Sequence, residues 1–221
     1  MTARLIREAT KGIKNVNQIQ RIDVNRIRHV AEDSRPITVF NPVGYPPVVS
    51  NKTTAPRLES LEGKTIYLVD CRFDDSIELL KQVRAWFGEH MPSVTTKLVS
   101  LNAYYGHDDP QTWEKIKADG DAAIVGVGHC STCAPAVSTH AITIDTRYGV
   151  PTVALHTDKF VRVVKSVAKM AGVAEAPQVF VPMPVMGRSP AELRAYVEGN
   201  DPHTGRPVME EVIEALTVAV Q

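Results

Sequence analysis

The residues best suited to chemistry lie in one short segment, Gly126-Val127-Gly128-His129-Cys130-Ser131-Thr132-Cys133-Ala134-Pro135. Cys130 and Cys133 form a C-x-x-C pair where an apolar run gives way to a helical pattern. Free amides and the helix dipole at such a junction stabilise an anion. They favour thiolate, the reactive form of cysteine. The spacing leaves the first cysteine at the turn and lets the second attack a mixed disulfide from within the helix. Cys130 is therefore the expected nucleophile and Cys133 the resolving or proton-donating thiol. His129 stands next to Cys130 and is expected to tune it. Ser131 or Thr132 is expected to cap the helix or touch substrate. Pro135 fits a first helical turn, where its missing amide costs nothing. Gly126 and Gly128 permit close approach of backbone or ligand. The plainer alternative is a set of small residues at a tight turn.

Other residues group around this pair by the elements that would carry them. Asp70 and Cys71 end the apolar run 65–70, and Arg72 follows. Cys71 is either a small residue at a strand end or a thiol facing Cys130 across a sheet rim, as in racemase-like proton transfer. His156 and Asp158 end the run after the cysteine helix, at a plausible substrate position, with Lys159 beside them. His140 follows Cys133 by two helical turns, about 10 Å along the axis, which is too far for direct pairing. Zinc would use Cys130, Cys133 and a histidine, with or without Cys71. No second cysteine pair accompanies them, so zinc is the minority reading and no cofactor is expected. The loop Tyr104-Tyr105-Gly106-His107-Asp108-Asp109 reads as a turn before a helix or a lid. Residues 182–188, between a strand and a helix start, could help hold an anion, and 200–206 read as a surface loop.

Strands are expected at 65–70, 95–101, 122–128, 150–156 and 178–184, and helices at 76–91, 110–119, 133–148, 158–172, 189–199 and 207–220. Ser76 is the expected cap of the first helix, and Asp108 or Asp109 that of the second. The run 122–128 has no polar alternation, as in a parallel strand buried on both faces. This order predicts a three-layer α/β/α domain with a mostly parallel, flavodoxin-like or doubly wound sheet. Ligands then bind beyond the carboxyl ends of the strands. Residues 1–35 carry eight Arg and Lys against four Asp and Glu. With Ile13, Val16, Ile19 and Ile22 in a narrow stripe, they are expected to form an N-terminal arm that contacts the body or a neighbour. Proline-rich 36–63, with 37–42 as a short strand, leads into a single domain, 36–221.

The balance of 25 basic and 25 acidic residues argues against a dedicated nucleic-acid binder. No apolar run suits a membrane span. MTARLIREATKGIKNV lacks the apolar core of a signal peptide, and three cysteines make no disulfide scaffold. A cytoplasmic protein is expected.

The block GVGHCSTCAPAVSTHAITIDTRYGVPTVALHTDKF (126–160) resembles the UGSC family, named for a selenocysteine-Gly-Ser-Cys motif. Cys130 stands at the selenocysteine position and Cys133 at the family cysteine, with Ser131-Thr132 in place of Gly-Ser. APRLESLEGKTIYLVD (55–70) also looks like that family. The block is similar, more distantly, to selenoprotein B subunits of glycine-reductase-type complexes. The resemblance covers roughly 36–185. It implies nucleophilic attack on an activated carbon and reduction of a carbon–heteroatom bond, by relatives that work with partner subunits.

Three functions are consistent with these residues. One is a thiol-dependent enzyme of a small molecule, cleaving a carbon–heteroatom bond by reduction or substitution, or exchanging thiols and disulfides with a thiol reductant. The second is a redox-neutral metal- or cysteine-assisted lyase, hydrolase or isomerase. The third is a non-catalytic or redox-sensing subunit. A homo- or hetero-oligomer is expected in each.

Overall fold

The structure, a computed structural model, describes residues 49–102 and 106–218, all within one unit, Pro47–Gln221. The expected arm at 1–35, the strand at 37–42 and the Tyr104-Tyr105 part of the loop lie outside the described residues. Five strands are present: β1 (Thr65–Asp70), β2 (Thr95–Ser100), β3 (Ala122–Gly128), β4 (Thr152–Thr157) and β5 (Gln178–Val181). All pair in parallel in the order β2-β1-β3-β4-β5. This is the flavodoxin-like order, in which the chain reverses direction across the sheet between β1 and β3.

Helices cover both faces because both faces of the strands are apolar. Along β1, Ile66 and Leu68 face one cluster while Tyr67 and Val69 face the other. In β3, Ile124 joins the first and Ala123 and Val125 the second. The first face is closed by α1 (Ser76–His90), α5 (Pro190–Glu198) and α6 (Val208–Leu216), through Leu79, Leu80, Phe87, Leu193 and Val212. The second is closed by α2 (Pro110–Asp119) and α3 (Cys133–Thr143), through Trp113, Ile116 and Val137. Next to them α4 (Val161–Met170) packs Val164 and Ala168.

Several boundaries differ from the sequence pattern. The tract 133–148 is α-helical to Thr143 and π-helical over Ile144–Tyr148, where Gly149 ends it at φ 72°. Residues 158–172 begin as a 3-10 turn, Asp158–Phe160, before α4. The last helix stops at Leu216. There Leu58 N–H bonds to Leu216 O and Val218 N–H to Leu58 O, tying the chain end to the segment before β1. Ser76 does not cap α1. Asp75 takes that position at φ 54° with no side-chain cap, and Ser76 Oγ donates to Asp70 instead. Asp109 caps α2 by accepting from Thr112 N–H. Ser189 and Glu192 form a capping box on α5.

Away from the ligand rim, buried Asp145 accepts from Ala55 N–H at 2.6 Å, Arg57 Nη2 at 2.7 Å and Thr152 N–H at 3.2 Å. One carboxylate thus joins the entering segment to β4. Asp145→Ala leaves Arg57 and two amides unpaired, and we expect a loss of about 3 kcal/mol. A urea unfolding midpoint unchanged in that variant would refute this role.

Candidate functional site

At the reversal point the ends of β1 and β3 lie side by side, and the chain leaving β3 makes the C-x-x-C turn. Cys130 and Cys133 are disulfide-bonded, with Cα atoms 5.0 Å apart. Cys130 is partly exposed and Cys133 buried. Cys133 N–H, at the start of α3, donates to Cys130 Sγ at 3.0 Å. The sulfur therefore fills the place of a capping oxygen. Ser131 and Thr132 do not cap: Thr132 holds the N-cap position without a side-chain bond, and both residues are exposed. The amide that meets sulfur here is one that stabilises negative charge on the reduced thiol.

Gly128 sets this turn against its neighbours. A Cβ there would lie 2.1 Å from His156 Nδ1 and 2.9 Å from Ala134 Cα. The close approach foreseen at the glycines is thus made by the protein's own β4 and α3. At Gly126 a Cβ would meet only ordinary contacts. The β3–β4 ladder shifts between Val125 and Gly128, and the Gly126–Val127 peptide is cis.

The remaining expected site residues fall into two groups. His129 is buried beside the cysteines, with Nε2 unpartnered, and it feels Asp74 and Asp75. Burial moves its pKa below the ordinary value, and those two carboxylates oppose the shift. Asp70, Cys71 and His156 are sealed from solvent. Asp70 accepts from Ser76 Oγ at 2.6 Å, Arg72 N–H at 2.9 Å and Ser100 Oγ at 2.8 Å, so it fixes the rim from beneath. Cys71 lies in the apolar cluster of Tyr67, Leu101 and Trp113, and burial pushes its thiol far up. It does not face Cys130 across an open rim. His156 is fully buried, with Nε2 3.2 Å from Ser138 Oγ. Burial drives its pKa down to about 3, against a smaller influence from the Gly128 backbone, which does not complete a hydrogen bond to Nδ1.

The sequence pattern missed three features. Asp74 and Asp75 are the charges nearest His129 in effect, and their place just past β1 was the available signal. Thr157 Oγ1 is buried and unpartnered where β4 ends, next to the expected Asp158, whose Oδ1 is buried and unpartnered as well. A groove of about 280 Å³ runs beside the turn, lined by Gly106, Thr132, Pro135, Ala136, Thr139 and His140. It joins α3 to a turn distant in sequence, which no local spacing reveals. His140 packs 5.4 Å from Trp113, and burial lowers its pKa against Asp108 and Asp109. Among the described residues no three His, Cys, Asp or Glu cluster as metal ligands, and no helix is long and apolar enough to cross a membrane.

The UGSC family profile matches residues 38–217, from the proline-rich segment to the end of α6. The chain belongs to the UGSC family. The match runs beyond the cysteine block through α5 and α6, which the sequence resemblance did not cover. Comparison with curated proteins gives no match. In this UGSC chain the motif turn is Cys130-Ser131-Thr132-Cys133.

Two predictions follow from the packing. Gly128→Ala forces His156 or α3 to move, and we expect a loss of about 2 kcal/mol in urea unfolding; wild-type stability would contradict the contact. His156 binds its proton less readily folded than unfolded, so stability rises with pH between about 3 and 6.5. It is complete above 6.5 and falls by up to about 1.4 kcal/mol per pH unit below that. His129 and His140 act in the same direction. His156→Gln removes its own share of the slope between pH 6.5 and 5. An identical slope in the variant would show that the ring is not held neutral.

Proposed function

We propose that this UGSC protein is a cysteine-dependent oxidoreductase of small molecules, with the Cys130–Cys133 dithiol as its reactive group. The observation that carries the proposal is the asymmetry of the pair: Cys130 partly exposed at the turn, Cys133 buried and three residues on, with the first amide of α3 bonded to the outer sulfur.

In the reduced protein, Cys130 thiolate attacks the substrate. At a disulfide, a Cys130–substrate bond forms while the substrate S–S bond breaks, and the leaving thiolate takes the electron pair. Cys133 thiolate then attacks Cys130 Sγ, releases the second thiol and closes the 130–133 disulfide. Two electrons pass to the substrate, and an external dithiol restores the protein. At an activated carbon the first step expels the heteroatom group with its electron pair. Attack by Cys133 then releases the carbon, which takes a proton, and leaves the same disulfide. The resemblance to selenoprotein B subunits supports this second version, with sulfur as the slower nucleophile in place of selenium. His129, beside Cys130 and with Nε2 unpartnered, is suited to passing protons at either step.

Reduced protein is to be alkylated across a pH series and each cysteine mapped by mass. We expect Cys130 to react fast well below pH 8.5, Cys133 more slowly, and Cys71 only on unfolding. Cys130→Ser is expected to abolish reduction of any accepted substrate, and Cys133→Ser to accumulate the Cys130 adduct. The proposal is dropped if Cys130 alkylates no faster than in the unfolded chain, or if Cys130→Ser keeps full turnover.

A further inference from the structure

The groove beside the C-x-x-C turn has a volume of about 280 Å³, at the small end of ligand sites. Thr132, Pro135, Ala136, Thr139 and His140 recur at helical spacing and so form one strip along α3. Gly106, from the loop before α2, completes the lining. At one end stands Thr132, which lies between the two cysteines in the chain and holds the N-cap position of α3. Cys130 does not line the groove, but its sulfur is held 3.0 Å from Cys133 N–H, at the helix end where the groove begins. At the other end stands His140. It is 3% exposed, its ring packs 5.4 Å from Trp113, and its Nε2 has no partner. Leaving a buried polar atom unpaired is costly. The dithiol chemistry makes no use of His140, so it does not account for that cost. Between the two ends the strip is largely apolar, with Pro135 and Ala136, and Thr139 Oγ1 already donates to Pro135 O at 2.8 Å.

From this we infer that the groove holds the unreacting part of the substrate, an uncharged chain of about four to six carbons ending in a hydroxyl that hydrogen-bonds to His140 Nε2. The inference rests on the proposed dithiol chemistry and adds the class of substrate. The length follows from the helix. Cys133 and His140 are seven residues apart, about 10 Å along the axis. Helical side chains lean towards the N-terminus, which brings the imidazole back towards the motif. The new S–S bond covers about 2.0 Å and the terminal hydrogen bond about 2.9 Å. About 5 Å remains along the axis, plus the offset across the strip, and an extended chain advances about 1.2 Å per bond. The three bonds between sulfur and oxygen in a hydroxyethyl group fall short. The end group follows from the ring. A neutral imidazole donates at one nitrogen and accepts at the other, and a hydroxyl does both, so it pairs with Nε2 in either tautomer. A charged terminus would lose its hydration against so enclosed a ring.

With a disulfide of such chains the step balances without a further reagent. Cys130 thiolate bonds to one sulfur and displaces the other half as its thiolate, which takes a proton from water. The bound half lies along the groove. Cys133 then displaces it, so the protein dithiol is oxidised as the substrate gains two electrons.

The test uses the full chain, reduced and freed of reductant, in single turnover. The probes are bis(2-hydroxyethyl) disulfide, bis(5-hydroxypentyl) disulfide and the methyl ether of the latter, all uncharged. Each rate of 130–133 oxidation is divided by that disulfide's rate with 2-mercaptoethanol, to remove intrinsic reactivity. We expect the hydroxypentyl probe to exceed both the hydroxyethyl probe and the ether by about tenfold or more. His140→Phe keeps an aromatic ring against Trp113 but removes Nε2, and it should cut the advantage over the ether. Thr139→Tyr fills the groove from an exposed position, where folding is not at stake, and should cut the advantage over hydroxyethyl. A purely structural role for His140 would lower all three rates together and leave their ratios unchanged. Equal corrected rates in the wild type overturn the subsite while leaving the dithiol chemistry intact. So does an advantage that survives both substitutions, or an ether as fast as the alcohol. Oxidation by all three probes no faster than in the unfolded chain overturns both.

Discussion

The contact on which the site depends is the packing of Gly128 between His156 and Ala134. It brings the end of β3 against β4 on one side and against the first turn of α3 on the other. Any side chain at 128 would push these apart. With them apart, Cys133 N–H would no longer meet Cys130 Sγ. The reactive turn is thus held by steric closeness of backbone to a buried imidazole, and that imidazole is kept neutral by the same burial.

Around this centre, three buried aspartates do similar work with hydrogen bonds. Asp70 ties the end of β1 to β2 and to α1. Asp145 ties the entering segment to β4 at the opposite end. Asp201 accepts from Phe180 N–H on the edge strand β5 and from His203 N–H in its own loop. Each carboxylate satisfies several amides or hydroxyls that would otherwise be buried without partners, which is costly. Rigidity of this kind is what lets a partly exposed sulfur keep one geometry.

Charge is distributed on two scales. Over the whole chain, basic and acidic residues balance at 25 each. Around the C-x-x-C turn, Asp74 and Asp75 act on His129, and Asp108 and Asp109 act on His140. The sum over the chain does not describe these local influences, because they depend on which side chains converge.

The sequence determined the parallel α/β order, the strand that carries the cysteines and the C-x-x-C at its end. These are local properties. Unbroken apolar runs mark strands buried on both faces, 3.6-residue spacing marks helices, and Pro135 marks a first turn. Family membership was likewise legible in residues 126–160, which form one contiguous block. Only the tertiary structure decided the strand order, and with it that β1 and β3 end side by side while Cys71 turns into the core. It also decided that His156 is sealed under Gly128, that sulfur replaces Ser131 and Thr132 as the cap, and that Asp74 and Asp75 act on His129 while Asp108 and Asp109 act on His140. The physical reason is that burial, pairing and field depend on distances between residues far apart in the chain. A spacing pattern carries only the neighbours along one helix or strand.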